Sequence, residues 1–285
     1  MRSNVGPAAI RGRHVPFLAL VIPVLALMAP PQSSGSPTLA ASMAVAAVGQ
    51  GEYGTIKGRL VWGGDEIPPI RVLCEKGKAE KDPQVCASTK PILSRELVVD
   101  PATKGVEYAF AYISRPKGSN EGAIQKLLAS KPKVEIDQSN CEFLPYLTAI
   151  YKDQTLVVKS SDAGINHNVR LVAFNNPGLN QNVATGGQLE IHLVPERLPV
   201  KILCDIHPWM QSYVMVFDHP FFTTTGKDGS FQIEGVPAGT QNLVIWQEKV
   251  GYANKGAGRG MPIKVEAGQV TDVGAIQLDP AKVKS

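Results

Sequence analysis

The stretch Val200-Lys-Ile-Leu-Cys204-Asp-Ile-His207-Pro-Trp-Met210 decides most of the fold. Its first half alternates as a β-strand does, with Val200, Ile202 and Cys204 on one face. Because successive side chains of a strand point to opposite faces of the sheet, this alternation directs Cys204 toward the core. A short loop follows, in which His207 and Met210 come three and six residues after the cysteine. We therefore expect these side chains to turn back toward one point.

A second histidine, His167, lies upstream in the segment Gly-Ile-Asn-His-Asn-Val. One thiolate, two imidazoles and one thioether form the donor set of a trigonal His₂Cys copper site with a weak axial methionine. Soft sulfur ligands favour Cu(I) and imidazole suits Cu(II), so such a site holds either oxidation state with little rearrangement. The sequence thus predicts one mononuclear copper ion held by His167, Cys204, His207 and Met210.

Neighbouring residues are predicted to support this site. Asn168 is placed to hydrogen-bond across to the loop that carries Cys204, and such contacts orient ligands and tune the metal. Pro208 stiffens the loop. Pro208 and Trp209 are also predicted to form an apolar docking surface around the edge of His207, where electrons would leave.

The remaining histidines and Met215 are not expected to bind metal. His192 lies on the polar face of a predicted strand at 188–194, and His219 begins a loop. Met215 belongs to an apolar strand and is predicted to pack in the core, while His14 falls in a predicted targeting segment.

The first 47 residues differ from the rest. A basic start with Arg2, Arg11 and Arg13 precedes an apolar run from Val15 to Ala29. That run is short for a membrane span, which needs about 20 residues, and small residues follow it. We predict a signal peptide and leader over residues 1–47. The alternative is an uncleaved membrane anchor.

Composition indicates a globular protein with many turns. Hydrophobic residues make up 44% of the 285 residues and charged residues 19%, and Gly (27) and Pro (22) are plentiful. The net charge of +4 falls to +1 without residues 1–47, which contain three Arg and no acidic residue. No basic stripe with interleaved aromatic residues is present, so nucleic-acid binding is not expected.

Alternating segments predict an all-β protein. The predicted strands are 54–62, 95–99, 106–113, 134–138, 147–151, 155–160, 168–173, 188–194, 200–205, 211–217, 243–247 and 263–265. The spacing of the middle strands predicts a β-sandwich. Residues 63–92 are predicted to be a long loop and 123–130 a short helix. An Asp228-Gly229 hairpin turn and a Pro237-Ala-Gly239 turn are predicted near the C-terminus.

The motifs His167-Asn-Val and Cys204-x-x-His207-Pro-aromatic-Met210 resemble the cupredoxin family, most closely its amicyanin and plastocyanin branch. The ligand spacing matches the short amicyanin-like loop, and the resemblance covers about residues 134–218. It implies a Greek-key β-sandwich with type 1 copper that shuttles electrons between periplasmic partners. It also implies that His167, Cys204 and His207 are equatorial ligands and Met210 the axial ligand.

Two positions depart from the family pattern. Asn166 precedes the first histidine, where the family often has proline, and Asp205 follows the cysteine. An unpaired Asp205 would lower the reduction potential of the copper.

The flanks resemble a different module. Residues 54–61 (GTIKGRLV) look like the first strand of a carboxypeptidase-regulatory-like domain, a transthyretin-like β-sandwich, and residues 224–252 look like the rest of one. The whole arrangement also resembles exported bacterial proteins described as plastocyanin-like or methylamine-utilisation-like. The predicted parts are 1–47, 52–133, 134–218 and 219–280. We hypothesise that the cupredoxin is inserted into the flanking sandwich, and two tandem domains are the alternative.

Four cysteines are present: Cys74, Cys86, Cys141 and Cys204. With Cys204 on a metal in an oxidising compartment, one disulfide plus one free thiol is the simplest arrangement. A Cys86–Cys141 bond is favoured because it would tie the N-terminal region to the start of the predicted cupredoxin. The alternative is Cys74–Cys86.

These features favour an exported electron carrier over other classes. A multicopper enzyme needs additional histidines, and the chain has only five. A dinuclear purple copper site needs a second cysteine in the ligand loop. We therefore expect a protein that is not an enzyme, working in the periplasm with a redox partner such as a c-type cytochrome or a periplasmic dehydrogenase. Membrane contact is expected only if the leader stays uncleaved. Copper storage or delivery, or a structural cell-envelope β-sandwich, is the alternative.

Overall fold

The computed structural model describes residues 52–284. The segment 1–47, with its predicted signal peptide or anchor, lies outside the described residues. Within residues 52–284 no helix combines the length and the apolar character that crossing a membrane requires.

Strands dominate the described residues, so the all-β prediction is confirmed. The N-terminal strands are β1 (Tyr53–Trp62), β2 (Val72–Cys74), β3 (Ile92–Leu93), β4 (Val98–Val99), β5 (Val106–Glu107) and β6 (Ala109–Ile113). The middle strands are β7 (Lys133–Ser139), β8 (Glu142–Leu144), β9 (Leu147–Tyr151), β10 (Thr155–Ser160), β11 (His167–Val172), β12 (Leu179–Val183), β13 (Gln188–Ile191), β14 (Val200–Leu203) and β15 (Gln211–Phe217). The C-terminal strands are β16 (Phe222–Thr224), β17 (Ser230–Pro237), β18 (Gly239–Gln247), β19 (Gly251–Tyr252), β20 (Met261–Val265) and β21 (Val270–Leu278). One α-helix, α1 (Glu121–Ser130), lies among the described residues.

The first β-sandwich is built from the middle of the chain. One sheet has the order β13-β10-β7-β8, and the other has the order β12-β11-β14-β15-β9. Both are mixed sheets, because β7 pairs with β10 and β9 pairs with β15 in parallel. The two sheets enclose one apolar core, whose fully buried members include Ile136, Phe143, Leu156, Val169 and Val214.

The pairing of β11 with β14 places the candidate ligands. Val169 and Leu171 of β11 are buried, and burying each aliphatic side chain contributes about 1.5–3 kcal/mol. A slip of one residue would turn both outward, so the core fixes the register. Arg170 lies opposite Leu203 in this antiparallel pair. The first residue of β11, His167, therefore lies beside the end of β14.

The second β-sandwich combines both ends of the described chain. One sheet has the order β17-β1-β21, and the other has the order β16-β6-β18-β19, with β20 paired to β18. Its core includes the fully buried Leu60, Phe221, Ile233, Leu243 and Ile245. Strand β1 pairs antiparallel with β17 and parallel with β21. This is the pairing that the insertion hypothesis requires, although the domain boundaries stay a prediction.

Residues 75–91, called the covering segment below, connect β2 to β3. The sequence predicts a plain loop here, but β2 and β3 pair as a short hairpin. Ala79, Cys86 and Ala87 of the covering segment are buried in the core of the first sandwich. Part of the predicted N-terminal region thus packs with the first sandwich rather than with the second.

A third apolar cluster lies where strands of the two sandwiches meet. Its buried members are Phe110, Tyr112, Tyr146, Leu147, Met215, Phe217, Val244 and Trp246. Met215, predicted to be a core residue, is 1% exposed in this cluster. It therefore packs among aromatic side chains, as expected of a flexible thioether.

Candidate metal centre

The loop after β14 carries three of the four predicted ligands. Cys204 immediately follows the strand, and its backbone N–H donates to the carbonyl of Met210 at 3.3 Å. The N–H of Met210 in turn donates to the carbonyl of His207 at 2.9 Å. These two bonds close the loop on itself, so the three predicted ligands of this loop, spaced three residues apart, are held close together.

The structure brings His167, Cys204 and His207 together. The Sγ of Cys204 lies 4.0 Å from Nδ1 of His167 and 3.7 Å from Nδ1 of His207. All three ligand atoms lie within 4.8 Å of one another. Both imidazoles are fully buried, and Cys204 and Met210 are 2% and 1% exposed. Met210 belongs to the same core cluster as Cys204.

Each histidine is held from behind by a carboxylate. Nε2 of His167 lies 3.0 Å from Oδ2 of Asp162, and Nε2 of His207 lies 2.9 Å from Oδ2 of Asp82. A carboxylate on one ring nitrogen fixes the tautomer and leaves the other nitrogen free to bind metal. When a ring carries one proton, we assign that proton to Nε2, and Nδ1 of each ring faces Cys204.

The sequence analysis missed both carboxylates. Asp162 lies five residues before His167, on the chain that enters β11, and this closeness is a usable signal. Asp82 is separated from His207 by 125 residues, and no pattern in the sequence links them.

The surroundings of Cys204 lower the pKa of its thiol and favour the form that binds metal. Burial works to raise its pKa, but hydrogen bonds with His167 and His207 outweigh burial and lower the pKa to about 6. At neutral pH the sulfur is therefore mostly thiolate, the form that binds metals.

His167 is affected in the opposite direction. Burial works to lower its pKa, but the bond to Asp162 and the neighbouring Cys204 raise it to about 9. The pKa of Asp162 is lowered, because its bonds with His167 and with two backbone N–H groups outweigh its burial. A metal ion must therefore displace a proton from His167, so binding releases protons to solvent.

Asn168 links β11 to the ligand loop. Its Oδ1 accepts a hydrogen bond from the backbone N–H of Asp205 at 2.7 Å. Its Nδ2 donates to Oδ1 of Asn180 at 2.6 Å, and the residue is 3% exposed. The start of the ligand loop is therefore fixed to a neighbouring strand.

Asp205 is not unpaired. Nε of Arg170 donates to its Oδ1 at 2.6 Å, and Nδ2 of Asn180 donates to its Oδ2 at 2.9 Å. The bond to Arg170 holds the pKa of this carboxyl below its usual range. The condition under which Asp205 would lower the copper potential is therefore not met.

The docking surface of Pro208 and Trp209 stays a prediction, but it does not lie around an exposed edge of His207. His207 is fully buried, and its outer nitrogen is bonded to Asp82 of the covering segment. Pro208 is exposed, but Trp209 is only partly so, and its Nε1 donates to the carbonyl of Cys141 at 3.1 Å. The ligand edge is hidden because a segment distant in sequence lies over it.

Cys86 and Cys141 form a disulfide, and Cys74 and Cys204 are free and buried. The sulfur atoms of the disulfide lie within 4.8 Å of a His207 ring nitrogen. The disulfide thus fixes the covering segment directly against the candidate centre.

The other histidines of the described chain lie apart from this group. His192 is exposed and immediately follows β13. His219 is buried in the aromatic region, where its Nδ1 accepts from the backbone N–H of Phe221 at 3.2 Å. Neither belongs to a group of three or more possible ligands within residues 52–284.

The residues present fit a copper ion. A thiolate, two imidazole Nδ1 atoms and a buried thioether are the donors that a His₂Cys(Met) copper site uses. Four buried donors with no competing carboxylate among them disfavour hard cations such as Mg²⁺ and Ca²⁺.

Comparison with known proteins gives partial structural likenesses. No family model matches the chain, and no curated protein does. A Cu-containing nitrite reductase from Thermus scotoductus SA-01 aligns at 18% identity and a TM-score of 0.28, covering 30% of this chain and 22% of that one. A purple cupredoxin from Nitrosopumilus maritimus aligns at 22% identity and a TM-score of 0.25, covering 30% and 99%. A Cu(I) form of an amicyanin variant aligns at 17% identity and a TM-score of 0.28, covering 38% and 98%.

These neighbours are cupredoxins or contain copper, as their names state, and the likeness concerns about a third of this chain. The chain spans about a fifth of the nitrite reductase. The resemblance of the flanks to a carboxypeptidase-regulatory-like domain stays a prediction. Function is inferred below from the geometry of the site and not from these likenesses.

One expectation is corrected by the comparisons. The sequence led us to expect a protein that is not an enzyme, yet one of the similar structures is a nitrite reductase. A reductase is therefore among the structures that resemble part of this chain, and the exclusion of catalysis does not stand.

Proposed function

We propose that this chain is a type 1 copper protein that carries single electrons. The observation that supports the proposal is the buried group of His167, Cys204 and His207, with both Nδ1 atoms aimed at the cysteine sulfur. His167, Cys204, His207 and Met210 would hold the copper ion. The bound copper would supply the Cu(II)/Cu(I) couple.

The protein residues would keep the ligand geometry constant during each electron transfer. Asp162 and Asp82 hold the two imidazole rings, and Asn168 holds the loop after Cys204. Fully buried ligands exclude water from the coordination sphere. A frame restrained in this way suits both oxidation states and lowers the rearrangement between them.

Electrons would leave by a route other than an exposed histidine edge. The Asp82 side chain is hydrogen-bonded to His207 and is 33% exposed, so it joins the ligand to the surface of the covering segment. We propose that a redox protein, such as a c-type cytochrome or a periplasmic dehydrogenase, approaches there. Export directed by residues 1–47, with the membrane anchor as its alternative, is part of the same proposal.

The test is a titration of the protein with Cu(II), followed by visible absorption and EPR spectroscopy. We expect an intense blue thiolate-to-copper band that saturates at one equivalent and is bleached by ascorbate. Cys204→Ser should abolish the band. Cys74→Ser removes the other free buried cysteine and is the matched control, so it should leave the band intact.

A different spectrum would contradict the proposal. A colourless product with an ordinary tetragonal Cu(II) signal, unchanged in Cys204→Ser, would show that the four ligands do not assemble around copper. Copper storage or delivery, or a structural role, would then take first place.

A further inference from the structure

A second group of metal-binding residues lies against the first. Ligand atoms of Cys86, Cys141 and His207 all lie within 4.8 Å of one another, and so do those of Cys141, Asp162 and His167. All three residues of the former group are fully buried. The two cysteines are joined as a disulfide, so neither sulfur is at present a thiolate able to bind metal.

We infer that reduction of the Cys86–Cys141 disulfide creates a second Cu(I) site, made of these two thiolates. Soft thiolate donors are ligands that Cu(I) prefers. The inference goes beyond the proposed electron-transfer function, because it concerns a thiol-dependent capacity for copper. It shares no ligand with the proposed type 1 centre, because Nδ1 of His207 faces Cys204 and its Nε2 is bonded to Asp82.

The reaction needs an external dithiol as the reductant. By thiol–disulfide exchange the dithiol gives up two electrons and two protons and becomes a disulfide, while Cys86 and Cys141 become thiols. Binding of Cu(I) to both sulfurs then releases their two protons to solvent. No change in the oxidation state of the copper is involved.

Both cysteines are held in place by contacts other than the disulfide. Cys141 is the second residue of the two-residue turn between β7 and β8, and its backbone N–H donates to Asp162 at 2.8 Å. The N–H of Cys86 donates to the carbonyl of Asp82 at 2.8 Å. Asp162 and Asp82 are also the carboxylates that hold His167 and His207. The thiols would therefore stay beside the histidines after reduction.

A small reductant or a copper ligand complex has a way to this group. A cleft of about 130 Å³ opens beside it and is lined in part by Cys141, Trp209 and Met210. The cleft is bordered by β2 and β3, whose exposed apolar side chains Val72 and Leu93 show that the hairpin is covered on one face only.

The test counts Cu(I) on the full chain carrying Cys74→Ser, which removes the unrelated free thiol. The protein is compared as the disulfide form and after dithiothreitol treatment with anaerobic desalting. Each form is loaded with Cu(I) in competition with bicinchoninate, and bound copper is counted by native mass spectrometry. We expect the number of tightly bound Cu(I) ions to double, from one to two, on reduction.

Two further variants identify the residues that bind the second Cu(I) ion. In Cys74→Ser with Cys86→Ser and Cys141→Ser, dithiothreitol should have no effect on the copper count. In Cys74→Ser with Cys204→Ser, reduction should still add one Cu(I). A reduced protein that binds no extra Cu(I), or a second ion that persists without Cys86 and Cys141, would overturn the inference.

If the variant that lacks Cys86 and Cys141 does not fold, X-ray absorption spectroscopy provides the second test. X-ray absorption of the reduced Cys74→Ser protein should show more thiolate ligands per copper than the disulfide form, three for two ions against one for one ion, and an unchanged number would overturn the inference. Failure of the proposed function is distinguishable, because it is read from the blue band of the disulfide form. A protein without that band that still gains Cu(I) on reduction would lose the proposed function and keep this site.

Discussion

Two carboxylates determine how the histidines of the candidate centre are used. Asp82 and Asp162 each accept a hydrogen bond from Nε2 and so leave Nδ1 to face Cys204. A carboxylate in this position also makes the imidazole more basic, which favours Cu(II) over Cu(I). Asp82 is the better position for a test, because Asp162 also fixes the turn at Cys141.

We predict that Asp82→Asn raises the reduction potential and weakens Cu(II) binding by about 10–100-fold, the usual effect of losing such a partner. The amide oxygen can still accept from Nε2 of His207, so the geometry is kept while the negative charge is lost. Voltammetry of the copper-loaded protein and competition titrations measure the two quantities.

Asp153→Asn is the matched control for that prediction. Asp153 is exposed and pairs at 3.0 Å with Lys152, a surface ion pair that contributes little to stability. This variant should leave both potential and affinity unchanged. An Asp82→Asn protein with the potential of the wild type would show that the carboxylate does not act on the metal.

Contacts between residues that are close in sequence could be predicted, whereas contacts between distant segments could not. Cys204, His207 and Met210 come from one tight loop, so their spacing alone predicts that they converge. Asn168 was predicted from its place beside His167, and its bond to the ligand loop is present. Asp82 and the burial of His207 depend on a segment more than a hundred residues away, which no spacing rule can place.

At the scale of elements, alternation predicted the strands that have one buried face. The segments predicted at 54–62, 155–160 and 211–217 correspond closely to β1, β10 and β15. Strand β12 was missed because its sequence, Leu-Asn-Gln-Asn-Val, is mostly polar and exposed at a sheet edge. The strand predicted at 95–99 is reduced to β4, since Arg95 turns toward Glu142 and Tyr108 instead.

The predicted Asp228-Gly229 turn joins two elements of the second sandwich. Gly229 has a φ of +77°, and its carbonyl accepts a hydrogen bond from the N–H of Leu60 in β1 at 2.9 Å. A Cβ atom at this position would lie 2.1 Å from the carbonyl oxygen of Leu60. The turn can therefore approach β1 only because position 229 has no side chain.

We predict that Gly229→Ala destabilises the protein by at least about 3 kcal/mol. A left-handed conformation alone costs a non-glycine residue about 1–2 kcal/mol, and the contact with Leu60 adds the cost of displacing β1. Chemical denaturation measures the change in the free energy of unfolding.

Gly268→Ala separates the two causes. Gly268 has a similar φ of +69°, but a Cβ atom there would meet nothing within 4 Å. It should cost only the conformational part, about 1 kcal/mol. Equal losses in the two variants would show that close packing of the turn on β1 does not contribute.

The sequence predicted only in outline how the strands of residues 52–284 are divided between the two sandwiches. Strand β1 pairs with β17 and β21, while the first sandwich occupies the chain between β6 and β16. The covering segment breaks this simple scheme, because it leaves the N-terminal region and packs on the metal centre. Its sequence is rich in Lys and Glu, which indicates a loop but not the surface that the loop covers.

His219 lies beside the cluster of aromatic residues where the sandwiches meet. It is 8% exposed, and its ring lies 5.3 Å from that of Phe217 and 5.6 Å from that of Phe221. Burial lowers its pKa from 6.5 to about 4, and the nearby Asp218 offsets this only in part. The imidazole is therefore uncharged in the folded protein at neutral pH.

This buried imidazole predicts a loss of stability in mild acid. Above about pH 6.5 neither folded nor unfolded protein binds the proton. Between about pH 6.5 and 4 the unfolded chain takes it up and the folded protein does not, so the free energy of unfolding falls as the pH is lowered. Below about pH 4 both states are protonated and the loss stops. The full loss is about 3 kcal/mol, from 1.36 kcal/mol per pKa unit.

The prediction is tested by urea denaturation at pH 7 and pH 4.5 on the wild type and His219→Gln. Glutamine keeps an acceptor for the N–H of Phe221 but cannot take up the proton. The packing lost in His219→Gln lowers the free energy of unfolding about equally at both pH values. The other titrating groups affect both proteins alike, so their effects cancel in the comparison. The wild type should therefore lose more stability on acidification than the variant. Equal losses of unfolding free energy in the two proteins would show that protonation of His219 does not contribute to the pH dependence of stability.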